Sequence, residues 1–488
     1  MRILSALLRQ LDRLLNGLFN PVQSALPAWV DYGIGAALYA LGLALWGKFL
    51  NWGRIPFDFH DWAEVNAARL AFTRDAVIKG VLPLHMPDAS ALRGITDRFM
   101  ALPDVILSPQ VYLMKWMDVG TFVLVDTLLF YSLGFLGLLL LRRRFRLGWV
   151  AFGLLFLTFN FNGHILLHYS IGHVTWAGYF LFPLVVVLIF QLLDGDRSWA
   201  WAARMALLLF FMYLQGSFHQ FVWVLLFLGL LVLGSWKFWA PVLKAGLFAV
   251  LLSLVRILPP VLHFREFDSE FLGGYPTLMD MGRALVELRF PAQALEGRNM
   301  FTSLGWWEFS LYLGAAGTLF LLGFGVWAWV QRRNPAHGYP ALLLPVVGVG
   351  LLSLGWVYRL VRFIPIPLLS GERASVRMLI LPVVVLLVLA ALELQTWLNQ
   401  RKWSAVERAA MLAVPLVVFH DLWQNLKAWQ VTNAFPAFPN TPVNLAIKIV
   451  ANHPDPAYTN VVALGAAASL ISLVVLLGLV WREKRSLH

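Results

Sequence analysis

Apolar runs of about twenty residues recur along the whole chain, and nothing else in the sequence constrains its fold as much. The hydrocarbon core of a bilayer takes about 20 apolar residues per helix, and about twelve such segments can be placed here. They run over 33–52, 119–141, 148–165, 174–193, 200–215, 219–236, 241–262, 309–330, 340–361, 377–398, 406–423 and 460–481. With 60% hydrophobic and only 13% charged residues, the chain lies far outside the composition of soluble domains. The expected fold is therefore an all-α polytopic membrane protein, residues 1–488 forming a single membrane-embedded domain. There is no cysteine, which excludes disulfides and thiolate metal sites. The N-terminal stretch 1–20 sets Ile3, Leu4, Leu7, Leu8, Leu11 and Leu15 at helical spacing opposite Arg2, Arg9 and Arg13, the pattern of a helix lying in the interface.

Short loops decide orientation, because the positive-inside rule counts Lys and Arg there and lets long loops cross regardless. Arg142, Arg143, Arg144 and Arg146 share a side with Arg332, Arg333, Arg401, Lys402 and the tail Arg482, Lys484 and Arg485, whereas the turns near 166–173 and 216–218 carry neither Lys nor Arg. Both termini are thus expected in the cytoplasm of a multi-pass protein in a bacterial inner or plasma membrane. The net charge of +12 collects on that side, where it meets anionic lipid, and it gives no support to nucleic-acid binding. Three outer segments are long, at 53–118, 263–308 and 424–459. The cytoplasmic loops are too short for a nucleotide-binding domain or a Walker motif, so any chemistry belongs to the outer face. No clear internal repeat is visible, which weighs against the many transporters built from paired halves.

The first outer segment opens with FDFHDWAEVNAARL, residues 57–70. Gly53 and Pro56 end the preceding span, and Asp58 is placed to cap a helix from about Phe59 to Lys79. At 100° per residue, Asp61, Glu64 and Asp75 fall within about 60° of one another, an acidic face, while Trp62, Val65, Phe72 and Ala76 follow the apolar spacing. The spacing predicts a helix lying flat beside the bilayer. Asp58 and Asp61, three apart, also resemble a capping box, so a structural role accounts for Asp58 as readily as a chemical one. Farther on, VLPLHMPDA puts His85 and Asp88 in a turn.

Histidines gather on the same side. FNFNGHILLHYSIGHVTWAGYF, residues 159–180, holds His164, His168 and His173, with His219 near the next outer turn. His164 and His168, four apart, share a helical face. Paired histidines beside carboxylates suit a divalent metal, but no H-E-x-x-H pattern is present and interfacial histidines also serve simply as hydrogen-bonding groups. Asp126 and Arg256 fall inside spans, where charges line a cavity or pair up, with each other as one arrangement. GWWEFSLYLG sets Glu308 among Trp306, Trp307 and Tyr312 where a span begins, and SGERASVR supplies Arg373 and Arg377, four apart and expected on one helical face, a fair site for a phosphate group. An aromatic belt explains the tryptophans without any substrate.

Together FHDWAEVN after the first span, the GHILLHYSIGH turn, WWEFSLYLG and ERASVR resemble the GT-C superfamily of membrane glycosyltransferases, in particular the bacterial branch that includes YfhO-like proteins. The resemblance covers most of the chain through short motifs. It implies a sugar donor linked to polyprenyl phosphate, taken from the outer leaflet and transferred to an acceptor with inversion, among membrane lipids as partners. It further implies that an acid after the first span, Asp61 or Asp58 with Glu64 beside them, acts as base or positions the acceptor. His85, Asp88, His164, His168, His173 and Glu308 would then face substrate, and Arg373 and Arg377 would hold the lipid phosphate. Relatives often hold a divalent cation such as Mg2+ or Mn2+ on a second acidic motif, and this chain has histidines in the corresponding turn. The other classes in view are a multi-pass transporter or lipid flippase, an enzyme like the O-antigen ligases, and a non-catalytic subunit on the same scaffold.

Overall fold

A chain surrounded by lipid must satisfy its backbone polar groups internally, and helices do so within a single segment. The computed structural model describes residues 15–21, 26–87, 97–263, 270–294, 304–331, 339–363, 371–400, 403–443, 445–450 and 452–486, and among these it is helical with isolated β-bridges only. The helical segments are α1 (Ala28–Phe49), α3 (Val119–Phe145), α4 (Trp149–Ser170), α5 (Val174–Leu193), α9 (Trp306–Gln331), α11 (Ser375–Gln400), α12 (Val406–Trp429) and α13 (Pro456–Ser486), all long and apolar enough to cross a membrane. Between them lie α2 (Ala68–Lys79), α6 (Trp199–Leu214), α7 (Phe218–Gly234) and α10 (Pro340–Leu352), and the bent pair Trp236–Leu252 and Leu254–Val261, here α8, which turns by 68°.

The protein is therefore an integral, multi-pass membrane protein with eight spans by length and composition among the described residues, or nine if the bent pair counts as one. Of the twelve expected, the other segments form shorter or bent apolar helices. Helices occupy all twelve expected positions, but α6 has 16 residues and α7 has 17, and a 16-residue helix reaches only about 24 Å against a hydrocarbon core of about 30 Å. The segment expected at 340–361 breaks after Leu352 and resumes as the short helix Gly355–Arg362. Of the expected interfacial helix at 1–20, residues 15–19 are helical and 1–14 lie outside the described residues.

The two ends of the bundle differ in charge. At one end Asp31 accepts hydrogen bonds from Arg142 at 2.6 Å and from Trp149 Nε1 at 2.9 Å, tying the start of α1 to the end of α3 and the start of α4. Arg144 pairs with Asp194 there, joining α3 to the end of α5. Asp61, His173, His219, Glu308 and Arg377 all sit at the opposite ends of the helices.

The helix expected to lie on the membrane is buried in protein. A π-helical turn, Trp62–Ala67, leads into α2, and the predicted lipid face is covered: Trp62 and Phe72 are fully buried. Trp62 Nε1 donates to Ser170 O at 2.9 Å, and Phe72 meets Phe99 edge-on with centroids 5.0 Å apart. A π-turn winds more residues per turn than an α-helix, so the single acidic face is lost: Asp61 is buried, Glu64 is exposed, and Asp75 pairs with Lys79 at 2.8 Å while accepting from Ile449 N. Asp58 is not the cap either. Phe59 is bridged to Asn440, His60 begins the helix, and Asp58 Oδ1 is buried without a hydrogen-bond partner.

Asp126 and Arg256 do not pair. Gln110 and Gln215 donate to the two oxygens of Asp126, each at 2.9 Å. Arg256, at the bend of α8, donates to the carbonyls of Met100 at 2.7 Å and Asp104 at 3.2 Å and also to that of Leu102. A buried guanidinium thereby satisfies three carbonyls of the irregular segment after residue 98. Hydrogen bonds from a charged donor contribute about 1.5–3 kcal/mol each, and a buried carbonyl left alone costs its desolvation. Arg256→Ala is expected to lower unfolding stability in detergent by at least about 3 kcal/mol and to open the 99–105 segment to protease. A loss below about 0.5 kcal/mol, the level of an ordinary surface substitution, would show that the segment is held by other contacts.

Candidate functional site

Two backbone irregularities bring the first carboxylate into place. His60 takes φ +43°, a strained value for a residue with a side chain, and turns Asp61 inward. Opposite it stands Gly172 at φ +104°, where a Cβ would lie 2.5 Å from Trp62 N and 2.8 Å from the Asp61 carbonyl carbon. Only glycine lets the turn between α4 and α5 approach this closely. Asn66 then clamps the two chains, donating to Asp61 O at 2.7 Å and to Gly172 O.

From Asp61 a run of polar side chains crosses this end of the bundle. Asp61 Oδ2 lies 2.8 Å from His173 Nε2, and His173 Nδ1 lies 2.7 Å from His168 Nδ1. If His173 donates through Nε2 to Asp61, its Nδ1 accepts from His168, and His168 Nε2 is left as a lone pair. That Nε2 is buried, makes no hydrogen bond and faces Glu308 Oε2 at 3.8 Å. Glu308 belongs to the helical turn Trp306–Phe309 that opens α9. Arg377, in the 3-10 turn Ser375–Leu379 that opens α11, grips Glu308 through two parallel bonds, Nε to Oε2 at 2.6 Å and Nη2 to Oε1 at 2.5 Å. The same guanidinium is 3.8 Å from Glu372 Oε1, and Glu372 Oε2 accepts from Trp223 Nε1 at 3.0 Å and meets His219 Nδ1 at 2.9 Å.

Trp176 forms the floor of this run. Its ring stacks on His168 with centroids 4.2 Å apart and lies nearly parallel to His219 at 5.8 Å, and the Arg377 guanidinium stands 5.4 Å from its centroid. His164 sits one turn before His168, rings 4.6 Å apart, so the shared face inferred from the four-residue spacing is present, although both rings are fully buried. The Trp307 ring lies 4.8 Å from that of His60. The middle of the run is sealed and its ends are open. His168 is 0% and Glu308 5% exposed by side chain, whereas Asp61 and His173 are each 13% and His219 is 30%.

Three carboxylates, those of Asp61, Glu308 and Glu372, act on one guanidinium. Burial alone would push the Glu372 carboxyl up, but His219 and Arg377 beside it overcome that and hold it at about 2.

Six of the residues expected to be functional meet here: Asp61, His164, His168, His173, Glu308 and Arg377. The others do not. Glu64 points to solvent. Arg373 and Arg377 do not share a helical face, because the 3-10 turn starts at Ser375 and Ala374 before it is extended. Arg373 is exposed, and its carbonyl accepts from Leu272 N. His85 belongs to a separate cluster with Asp97 and His453, and Asp88 lies outside the described residues. Glu372, His219 and Trp176 complete the run without having been singled out as site residues. Glu372 had a signal, an acid between apolar segments within the ERASVR motif, and so did His219, three residues past Gly216 at the outer turn.

A divalent cation fits this run poorly. His168, His173 and Glu308 place ligand atoms within 4.8 Å of one another, but both Glu308 oxygens are engaged by Arg377 and both His173 nitrogens by Asp61 and His168. Mg2+ and Mn2+ favour oxygen ligands, of which none here is uncommitted by a close partner.

Comparison with family models, with curated proteins and with solved structures finds no match to this chain.

Because the Glu372 carboxyl is depressed in the folded state from an ordinary value of 4.5 to about 2, its contribution is present above about pH 4.5 and is lost as pH falls towards 2. The depression corresponds to about 3 kcal/mol. Glu372→Gln is expected to be less stable than the native protein by about that amount at pH 7, with the gap closing towards pH 2. Unfolding curves of both proteins across this range check it; a gap that stays constant with pH would mean that Glu372 contributes through packing alone.

Proposed function

We propose that this protein is an inverting membrane glycosyltransferase that takes a sugar from a polyprenyl-phosphate donor and passes it to an acceptor hydroxyl at the outer face, with both termini in the cytoplasm. The observation that carries the proposal is the continuous run from Asp61 through His173 and His168 to Glu308, Arg377, Glu372 and His219, assembled where several helices end. Its location supports the assigned side, since the arginine-rich ends of the same helices lie opposite.

In this reading Asp61 is the base. The acceptor oxygen attacks the anomeric carbon from the face opposite the phosphate, the bond from that carbon to the phosphate oxygen breaks, and the electron pair leaves with the phosphate. The acceptor proton passes to an Asp61 oxygen, and His173, donating to the other oxygen, holds that carboxylate in place. General-base catalysis of this kind contributes about 10²–10⁴-fold. The carboxylate also orients His173, as an acid does for an imidazole in other proton-transfer sites.

The role of the cations differs from the one the motifs implied. Arg377 is neutralised by two glutamates and positions them, so it does not serve as a phosphate-binding group. Arg373, one residue beyond Glu372 and exposed to solvent, is the cation that would meet the leaving phosphate.

A second reading, a transporter or lipid flippase coupled to protons, is favoured by the burial of His168 and Glu308, since titratable groups inside membrane proteins often mark proton paths. A non-catalytic subunit would keep the run and dispense with the chemistry.

Glycan analysis separates these readings. In cells lacking the native gene, Asp61→Asn is expected to reduce product by at least about 100-fold, while Glu64→Gln, at an exposed position, restores it to within about twofold. Full restoration by Asp61→Asn would remove the proposed base. Lipid or proton movement in liposomes that depends on Glu308 while no glycan changes would favour transport instead.

A further inference from the structure

A second cluster of ligating side chains stands apart from the run described above. The backbone pairs across His85 and Arg98, with Met86 N donating to Asp97 O at 2.8 Å and Phe99 N to Leu84 O at 2.9 Å. This small antiparallel bridge sets His85 and Asp97 side by side, with Nδ1 and Oδ2 3.2 Å apart. A third group comes from far along the chain: His453 Nε2 lies 2.6 Å from the same Asp97 oxygen, and its ring is 3.7 Å from that of His85 between centroids. One ligand atom from each of the three residues falls within 4.8 Å of the others.

The chain around the cluster is held firmly. Arg98 donates to Asp455 from Nε at 3.1 Å and from Nη2 at 3.0 Å, and the Tyr458 hydroxyl accepts from Met100 N and donates to Leu84 O. Asn452 Oδ1 accepts from His85 N at 3.3 Å. His85 itself is 5% exposed, and its two ring nitrogens, both shut off from solvent, make no well-directed hydrogen bond. A buried imidazole whose nitrogens make no well-directed hydrogen bond is costly, and a bound ligand resolves it.

We propose that His85, Asp97 and His453 form a site for a divalent transition-metal ion of the Zn2+ class, clasping residues 84–87 and 97–100 to residues 452–458. Two imidazoles and one carboxylate are a donor set that suits Zn2+, with a fourth position left for water. The exposure of His453 and Asp97, 54% and 40% by side chain, gives the ion a way in from solvent. The glutamates and histidines of the run around Arg377 take no part, so the metal acts on the architecture of this end of the protein and not on the proposed transfer.

The test uses full-length protein in detergent, stripped with a chelator and titrated with Zn2+ alone. The native protein is expected to take up about one Zn2+ per chain and to melt at a higher temperature when loaded. His453→Ala and Asp97→Asn, both at exposed positions where folding is not at stake, should each weaken Zn2+ binding by at least about tenfold and abolish the shift in melting temperature. His173→Ala should leave both intact. Native-like binding by His453→Ala and Asp97→Asn, an absence of Zn2+ uptake by the native protein, or loss of uptake in His173→Ala alone would each overturn the proposal.

Discussion

The guanidinium of Arg377 lies between two buried carboxylates, and much of this end of the bundle is organised by the need to satisfy it. A cation placed among apolar helices loses several kcal/mol of hydration, which only close, well-directed acceptors offset. Glu308 supplies both oxygens and Glu372 adds a second charge. Each glutamate then has its own demands. Glu372 requires Trp223 and His219 from α7, and Glu308 brings the first turn of α9 against Arg377 at the start of α11. The starts of α7, α9 and α11 are thus bound to one another by charge, and Trp176 fills the space between with a flat ring that stacks on two imidazoles and faces the cation.

Such a centre is incompatible with helices that run straight to their ends. Irregular backbone is tolerated at membrane depth only where protein covers it, and several such segments border the charged run: the π-turn at Trp62–Ala67, the left-handed His60, the 3-10 turns Val174–Leu181 and Ser375–Leu379. Cross-links replace the missing helical bonds. Gly273 bridges to Ala374 and Tyr275 to Leu354, and Gly163 N donates to Tyr312 O at 2.9 Å. The opposite end, with Arg142 on Asp31 and Arg144 on Asp194, ties regular helix ends and carries the basic surplus. One end of the molecule is built to anchor, and the other is built to hold titratable groups close together.

Particular residues show how far the sequence could be read. His164 and His168 share a face because four residues make about one helical turn, a local fact, and Asp61, Glu308 and Arg377 declared themselves as charges where apolar runs begin or end. Asp58 and Glu64 looked equally promising by the same rule, yet the bridge at Phe59 and the π-turn aim one to a buried site without a partner for Oδ1 and the other into solvent. Arg373 and Arg377 looked like a pair only on the assumption of a continuous helix. Trp62 and Phe72 had the spacing of a lipid face, and it is Ser170 and Phe99 that cover them, because an apolar surface is stabilised as well by protein as by lipid. Apolar length located α6 and α7 as helices, at 16 and 17 residues shorter than a full span.

By itself the sequence determined that this is a helical membrane protein, where its helices lie, and that its basic residues collect at one end, because hydropathy, periodicity and loop charge act over one or two helical turns. Only the tertiary structure decided which charges meet. Asp61 reaches His173 across 112 residues of chain and Glu308 reaches Arg377 across 69. Contacts at such separation depend on glycine-permitted approaches and on the mutual desolvation of partners, and neither is written in any local window.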